Sequence, residues 1–359
     1  MHHSDAKNRE NEKGSVCRDP VQTQRFLGNL SHFRYEKKLI FRPNCTKNVK
    51  CVSSDACMRA VFFKQRMSDV NFGGNACMRK SPIAGSWYPG NSAELTKLVT
   101  ELLDDAQLPE LKGRPYGLIS PHAGIQFSGS AAACAYKALQ GLTVKRVILM
   151  GPSHYTCMYG MAVSGVDAYE TPLGKVRVDR KICDALARQP LFQGPVQAEM
   201  PEHSLEMQLP FLQIVLGEFE LVPLVVGELG RHDYAVAAAE LKKYVNEETV
   251  VVVSSDFTHY GPRFGYVPFS DKLKQNLAKL DGDAIKKIIA RDASGFLRYV
   301  DETGATICGS RPIGVLLQML PSEARGTKLI YYTSGDLLKD YADSVSYASI
   351  IFTVSQNNQ

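Results

Sequence analysis

The sequence predicts an α/β fold, in which a single layered domain with a mixed, largely parallel sheet is flanked by helices and preceded by an N-terminal extension. Short β-branched runs alternate with amphipathic segments from residue 79 onward, and no linker rich in Pro, Gly or Ser interrupts them. The first 77 residues, in contrast, have no sustained helical or alternating period. We therefore assign residues 78–359 to the domain and residues 1–77 to the extension.

The predicted elements follow from local patterns. Ser92 is a predicted N-cap for a helix whose apolar residues recur at i, i+3, i+4 and i+7. Apolar and β-branched runs predict strands at residues 116–119, 147–150, 221–226, 250–253, 328–332 and 346–354. Helical periodicity predicts further helices at residues 128–139, 234–244, 272–290 and 313–320.

The charge of the chain is unevenly distributed. The 359 residues carry a formal net charge of +5, but residues 1–80 hold 16 of the 42 Lys and Arg and only 7 of the 37 Asp and Glu. The extension is therefore basic and is predicted to be disordered, whereas the domain is slightly acidic. Without regularly interleaved aromatic residues, this distribution does not indicate a nucleic-acid partner.

Other sequence features narrow the class of protein. No run of 18 apolar residues occurs, so no membrane span is expected. Nine cysteines, an odd number, without a secretory signal indicate a reducing compartment, which predicts a cytoplasmic location with a nuclear one as the alternative. Signatures of zincin proteases, α/β-hydrolases and P-loop proteins are absent, and no nucleotide cofactor is expected.

Polar side chains follow three of the predicted strands. His122 comes after the first, His154 after the second, and Asp256 and His259 after the fourth. Since open α/β sheets bind ligands beyond the carboxyl ends of their strands, these loops are predicted to converge on one site. Each residue alone is more typical of a hydrogen-bonded loop or turn, so the convergence is what favours a metal or acid–base site.

Two further positions are candidates for the same site. His203 and Glu206 would share one face of a helix, although a surface position for Glu206 is the alternative. Cys308 precedes an apolar helical run, and a helix N-terminus favours the thiolate. Cys308 would then be a metal ligand or a nucleophile, with a small buried apolar residue as the alternative.

Seven motifs occur in order along the predicted domain. They are Ala-Gly-Ser-Trp-Tyr-Pro at 84–89, Pro-His-Ala-Gly at 121–124, Gly-Pro-Ser-His at 151–154, Glu-His-Ser-Leu-Glu-Met-Gln-Leu-Pro at 202–210, Ser-Ser-Asp-Phe at 254–257, Thr-Ile-Cys-Gly at 306–309 and Arg-Pro-Ile-Gly-Val-Leu-Leu at 311–317. Together they resemble the Memo family, named for a mediator of receptor-tyrosine-kinase-driven cell motility. Because family members tend to begin shortly before the first motif, Met78 is a candidate alternative start.

The resemblance implies a fold similar to the class III extradiol dioxygenases, in which two His and one Glu hold non-haem Fe(II). It implies that His122 and His154 are metal ligands and that Cys308 is the third. A thiolate in place of the carboxylate is a softer ligand. Iron or copper(I) is therefore the expected cofactor.

The resemblance also implies roles for the remaining candidates. His259 is the candidate general acid or base, Asp256 lies in the same pocket, and His203 and Glu206 form or support that pocket. The implied function is metal binding in redox or metal handling, with signalling to the cytoskeleton and cell motility. Two alternatives stay open: an active metal-dependent oxidoreductase, either dioxygenase-like or a copper-dependent oxidase, and a non-catalytic scaffold that binds phosphotyrosine-containing or adaptor proteins.

Overall fold

The computed structural model describes residues 77–355 of the chain. The predictions for residues 1–76, including their disorder, lie outside the described residues. Strands are formed by Met78–Arg79 (β1), Arg114–Ser120 (β2), Arg146–Pro152 (β3), Met161–Val163 (β4), Ala168–Thr171 (β5), Gly174–Val178 (β6), Glu220–Val226 (β7), Thr249–Ser254 (β8), His259–Tyr260 (β9), Arg325–Thr333 (β10) and Ser344–Val354 (β11).

Helices alternate with these strands along the chain. They are Ser92–Asp105 (α1), Ile125–Lys137 (α2), Arg180–Leu186 (α3), His203–Glu206 (α4), Leu209–Leu216 (α5), Asp233–Lys242 (α6), Leu273–Ile289 (α7), Ala293–Thr303 (α8), Ser310–Met319 (α9) and Ser334–Leu338 (α10). No helix within residues 77–355 combines the length and apolar composition that a bilayer crossing requires.

The strands form one mixed sheet in the order β1-β5-β6-β7-β3-β8-β2-β11-β10, with β4 and β9 paired off this path. Its five central strands, β6-β7-β3-β8-β2, are parallel. Antiparallel pairs border them, since β5 pairs with β6 on one side and β11 with β2 on the other. The predicted α/β class, with a mixed and largely parallel sheet flanked by helices, is confirmed.

The apolar composition of the central strands reflects burial on both faces. All six residues of β8 are buried, and so are all but the first residue of β2, β3 and β7. A parallel strand covered by helices on both sides needs no polar alternation, which explains why these strands read as continuous apolar runs. The hydrophobic core therefore lies on both faces of these central strands. The carboxyl ends of β3, β8 and β2 lie side by side, because the three strands are parallel neighbours.

Local details differ from the sequence predictions. The N-cap of α1 is Asn91 and not Ser92, because the Asn91 side chain accepts hydrogen bonds from the Ala93 and Glu94 N–H groups at 2.9 and 3.1 Å. Strands β4, β5 and β6 were not predicted, since runs of three to five residues are too short to display a period.

A chain that begins at Met78 should fold and unfold cooperatively. It lacks Cys77, whose N–H donates to the Asp167 carboxylate and whose carbonyl accepts from the Asp167 N–H. Two such bonds are worth about 1 kcal/mol each, which corresponds to a loss of about 3–4 °C in melting temperature for a domain of this size. Calorimetry of the truncated and full-length chains measures the difference. Loss of the cooperative transition would show that the extension belongs to the folded unit.

Candidate metal centre

Three adjacent central strands bring the predicted site residues together at their carboxyl ends, which form one edge of the sheet. In the strand order β3-β8-β2, His154 follows β3, Asp256 and His259 follow β8, and His122 follows β2. Neighbouring strands lie only about 4.8 Å apart, so their following loops are adjacent in space. The tertiary structure thus explains why residues far apart in the sequence meet.

Three histidines form a compact group at this edge. The donor atoms of His122, His154 and His203 all lie within 4.8 Å of one another. The rings of His154 and His203 stack with centroids 4.6 Å apart, and the His122 ring stands nearly perpendicular to both, at 5.2 and 5.3 Å. This group could hold a metal ion, because imidazole nitrogens are common ligands of transition metals.

Cys308 lies beside the histidine group. Its Sγ is 3.3 Å from Nε2 of His122 and accepts a hydrogen bond from the Asp256 N–H at 3.2 Å. Gly309 permits this approach, since a Cβ at that position would overlap the Ser255 side chain and the Ser254 carbonyl. The absence of a side chain at residue 309 therefore lets the segment that carries Cys308 pack against the end of β8.

The protonation state of Cys308 differs from the sequence prediction. The helix N-terminus was expected to favour the thiolate, but α9 begins two residues later, at Ser310. Although Cys308 as a whole residue is only partly buried, burial of its thiol raises the pKa of that group well above the usual range, and the Asp256 carboxylate raises it further. The thiol is therefore protonated at neutral pH, and it becomes a strong ligand only when a metal displaces its proton.

The tautomer of His122 is set by a buried hydrogen-bond network. Ser254 Oγ donates to the Ser204 carbonyl at 2.6 Å and accepts from Gln208 Nε2 at 2.8 Å. Gln208 is itself oriented by the Pro121 carbonyl, which can only accept from its amide nitrogen. The remaining contact of Ser254, at 2.8 Å, must come from a proton on His122 Nδ1, so Nε2 carries the ring's lone pair.

A buried carboxylate fixes His154. The Glu202 side chain is fully buried and accepts from the His154 Nδ1–H and backbone N–H, both at 2.8 Å. Burial raises the pKa of Glu202, but the electrostatic influence of the adjacent His154 and its hydrogen bonds outweigh burial and lower it to about 2. Glu202 is thus an ionised acceptor that keeps the proton of His154 on Nδ1, an arrangement found at the ligating histidines of many metal sites.

Thr306 accepts two hydrogen bonds from His259. The backbone N–H of His259 donates to the Thr306 hydroxyl at 2.8 Å, and its Nδ1–H donates to the Thr306 carbonyl at 3.0 Å. The lone pair of the neutral ring is therefore on Nε2, where a general base needs it.

Asp256 supports the backbone of the His122 loop. Its Oδ1 accepts from the N–H groups of His122 and Ala123 at 2.7 and 3.3 Å. Burial raises the pKa of this carboxyl, and the opposing influence of His259 is smaller.

Three histidines of the site are neutral at physiological pH. Burial is the largest cause that lowers the pKa of His122 and His203 well below 6.5, and neighbouring imidazoles lower it further. Burial also lowers the pKa of His259, against the attraction of Asp256. Neutral imidazole is the form that binds metals, so these rings are already in the required state in the uncomplexed site.

His203 and Glu206, the pair predicted to share a helix face, have different surroundings. His203 lies in the histidine group, with its ring 4.4 Å from that of Trp87 and its Nδ1 3.1 Å from the Tyr155 hydroxyl. Glu206 points instead to the N-terminal segment of the domain, where it accepts from Arg79 and Tyr88, each at 2.6 Å. The structure thus places His203 among the possible ligands and Glu206 in a buried ion pair.

Sequence reasoning missed the residues that orient the ligands. Glu202, Gln208 and Ser254 had no assigned role, although each lies inside one of the recognised motifs. Membership of a motif was the only available signal, since nothing in the spacing of these residues indicates which histidine they contact.

Comparison with known proteins identifies the family. A model of Memo-like proteins matches residues 79–351. The chain belongs to the Memo family. It is 34% identical to a memo-1 homologue of Caenorhabditis elegans over 81% of this chain and 87% of that protein. It is also 34% identical to a MEMO1 family protein of Methanopyrus kandleri over 77% and 99% of the two chains, and 32% identical to human MEMO1 over 77% and 97%.

The Memo match covers every candidate site residue discussed above, because His122 and Cys308, the first and last of them, both lie within residues 79–351. A solved structure of an uncharacterized Escherichia coli K12 protein covers 66% of this chain and 99% of its own, at 13% identity and a TM-score of 0.45. That likeness bears on neither activity nor ligand. The relation to extradiol dioxygenases stays a prediction.

The neutral histidines should make stability depend on pH. Below pH 6.5 the unfolded chain protonates His122 and His203 while the folded chain does not. The unfolded state then binds more protons, so the free energy of unfolding falls as the pH falls from 6.5. Each of these histidines contributes up to about 1.4 kcal/mol per pH unit.

His203→Gln should therefore flatten the dependence by about that amount per pH unit. Urea unfolding of the metal-free protein at a series of pH values below 6.5 measures the slope, and His232→Gln, at an exposed histidine outside the site, controls for the loss of a histidine as such. Equal slopes in wild type and His203→Gln would contradict neutral burial of His203.

Proposed function

We propose that this Memo-family chain binds iron or copper(I), with His122, His154 and Cys308 as ligands, and that it acts in redox or metal handling. The observation that supports the proposal most is the convergence of imidazole donor atoms within 4.8 Å of one another. A thiol 3.3 Å from one of them adds a soft ligand. Imidazole and thiolate together suit copper(I) and thiolate-bound iron.

The position of His203 adds a second donor set. Its donor atom lies in the same 4.8 Å group as those of His122 and His154, so an all-imidazole set competes with the set that contains Cys308. The two sets differ in softness, and the thiolate set binds copper(I) more strongly than an all-nitrogen set does. Substitutions at Cys308 and His203 therefore separate the two arrangements.

The orienting network supports metal binding over a purely structural cluster. The Nδ1 protons of His122 and His154 are both committed to hydrogen bonds, with Ser254 and Glu202 as acceptors. The lone pair of the His122 ring is therefore on Nε2, the nitrogen that a metal ion would bind. Histidines that only pack against one another would not need such dedicated acceptors for their Nδ1 protons.

An active metal-dependent oxidoreductase, either dioxygenase-like or a copper-dependent oxidase, is the second candidate. A bound metal of this kind would supply Lewis acidity and electron transfer to a substrate. The chain itself would supply His259, a neutral base whose Nδ1–H is held by the Thr306 carbonyl. His259 would take a proton from a substrate hydroxyl at Nε2, and Asp256 would line the same pocket.

A signalling role is the part of the proposal that relies on family membership. Tyr155 and Tyr159 are 46% and 64% exposed, and Tyr155 contacts His203, so large side chains at the edge of the site are open to a partner. We propose phosphotyrosine-containing or adaptor proteins as partners, and a cytoplasmic or nuclear location. A non-catalytic scaffold of this kind would not need bound metal.

Metal analysis tests the ligand assignment. After anaerobic reconstitution with Fe(II) or Cu(I), wild type should hold about one ion per chain, whereas His122→Ala and Cys308→Ser should bind more than about tenfold more weakly. Cys183→Ser, at a buried thiol of α3, is the matched control and should bind as wild type does.

Cobalt(II) substitution then identifies the donor set. A thiolate-to-cobalt absorption band that is present in wild type and His203→Gln but absent in Cys308→Ser supports Cys308 as the third ligand. Wild-type protein that stays free of metal under reducing conditions would contradict the proposal. The non-catalytic scaffold would then be the remaining function.

Oxygen uptake tests the oxidoreductase candidate. The reconstituted protein should consume O₂ with at least one member of a catechol panel, and His259→Gln should lower the rate by about 10²–10⁴-fold, the usual loss for a general base. Metal content measured in the same samples ensures that the variant remains loaded. No uptake with any catechol by fully loaded wild type would contradict the dioxygenase-like activity.

A further inference from the structure

Arg79 is a fully buried arginine whose guanidinium is bonded on three of its sides. Its Nε donates to the Glu199 carbonyl at 2.8 Å, its Nη1 to the Glu206 carboxylate at 2.6 Å, and its Nη2 to the Glu202 carbonyl at 2.8 Å. The guanidinium also lies 4.9 Å from the ring centre of Tyr169. A buried guanidinium is unfavourable unless it is paired in this way, so the surroundings of Arg79 are specific for arginine.

All three acceptors belong to one segment of the chain. They span residues 199–206, which include the short helix α4 and the histidine of the group that α4 carries. Glu206 is held further by the hydroxyls of Tyr88 and Ser81, which lie on the same N-terminal stretch as Arg79. The beginning of the domain is therefore bonded to the 199–206 segment by one buried cation and two hydroxyls, and Arg79 alone makes the contact with Glu202.

Glu202 connects this attachment to the histidine group. Its carbonyl accepts from Arg79, while its carboxylate accepts from the His154 Nδ1–H and the backbone N–H groups of His154 and Ser204. Arg79 thus fixes the backbone of the residue that fixes His154. One residue farther along, His203 lies within the 4.8 Å group.

We propose that Arg79 positions the metal site, because its bond to the Glu202 carbonyl sets where the Glu202 carboxylate meets His154. Arg79 hydrogen-bonds to Glu199, Glu202 and Glu206 and to none of the proposed metal ligands, so it acts on the site through Glu202. The metal-affinity part of this inference rests on the proposed function. If Arg79 instead serves stability alone, its loss would lower the melting temperature and leave His154 and the metal affinity unchanged.

Arg146 offers a matched control on the same sheet. It begins β3, the strand that leads to His154, and its Nε pairs with Asp179 at 3.0 Å. A seven-residue strand spans about 23 Å, so this ion pair lies at the far end from the site. Arg146→Met therefore removes an arginine–aspartate pair from the strand without altering the Glu202 contact.

The experiment compares wild type, Arg79→Met, Arg79→Lys and Arg146→Met in the full chain. The first measurement is the ¹⁵N chemical shift of His154 Nδ1 in metal-free protein at pH 7, which reports its hydrogen bond to the Glu202 carboxylate. We expect the same shift in wild type and Arg146→Met, and a changed shift in Arg79→Met. The second is Co²⁺ affinity by chelator competition, which should be about tenfold weaker in Arg79→Met and unchanged in Arg146→Met.

The two measurements test the role of Arg79 and the proposed function separately. Wild type that binds neither Co²⁺ nor Cu⁺ would overturn the proposed function, and the ¹⁵N shifts would still decide the role of Arg79. Arg79→Met with a wild-type His154 shift and an affinity within about twofold of wild type would overturn the positioning role, however much its melting temperature falls. Should Arg79→Met not fold, Arg79→Lys decides: the ammonium donates from a single nitrogen and cannot reproduce the planar three-sided fork of the guanidinium, so wild-type values in that variant would overturn the proposal.

Discussion

The close packing of histidines at one edge of the sheet places a strong electrostatic constraint on the fold. His122 and His203 are buried, His154 and His259 are half-buried, and a second positive charge among them would be repelled by the first. Neutral rings at His122, His203 and His259 avoid that repulsion, but a neutral ring must then donate its one N–H to a suitable acceptor. Ser254 and the Thr306 carbonyl accept from Nδ1 of His122 and His259, and Glu202 accepts from Nδ1 of His154.

The acceptors come from several parts of the fold, which ties the site to the whole domain. Ser254 ends β8, Glu202 precedes α4, and Thr306 lies in the loop before α9. Gln208, at the start of α5, orients Ser254 and in turn accepts from the Tyr136 hydroxyl of α2 at 2.7 Å. The geometry of the histidine group is therefore a property of the assembled layers, and local segments alone would not preserve it.

The thiol of Cys308 gives the site a chemical asymmetry. The imidazoles of His122 and His203 are neutral at physiological pH, whereas burial and Asp256 keep the thiol protonated. Metal binding through Cys308 would therefore release a proton, which makes the affinity rise with pH even where the histidines no longer titrate. With Cys308 as a ligand, as proposed, the site would favour metals that compete well for thiolate, as copper(I) does.

Local patterns in the amino-acid sequence are sufficient to predict the class of the fold, the order of its principal elements and the strand ends that carry His122, His154 and His259. They are sufficient because a strand buried on both faces must be apolar throughout, and because ligands bind at the carboxyl ends of parallel strands. The seven motifs likewise indicate the Memo family on their own, and the family match over residues 79–351 confirms that identification.

Which of those residues lie close together depends on the tertiary structure. Strand order cannot be derived from periodicity, and it is the adjacency of β3, β8 and β2 that joins His154, Asp256 and His122. The same holds for Glu206, which shares a short helix with His203 yet pairs with Arg79, and for the protonation of Cys308. Burial and hydrogen-bond partners depend on elements distant in the chain, so no local pattern encodes them.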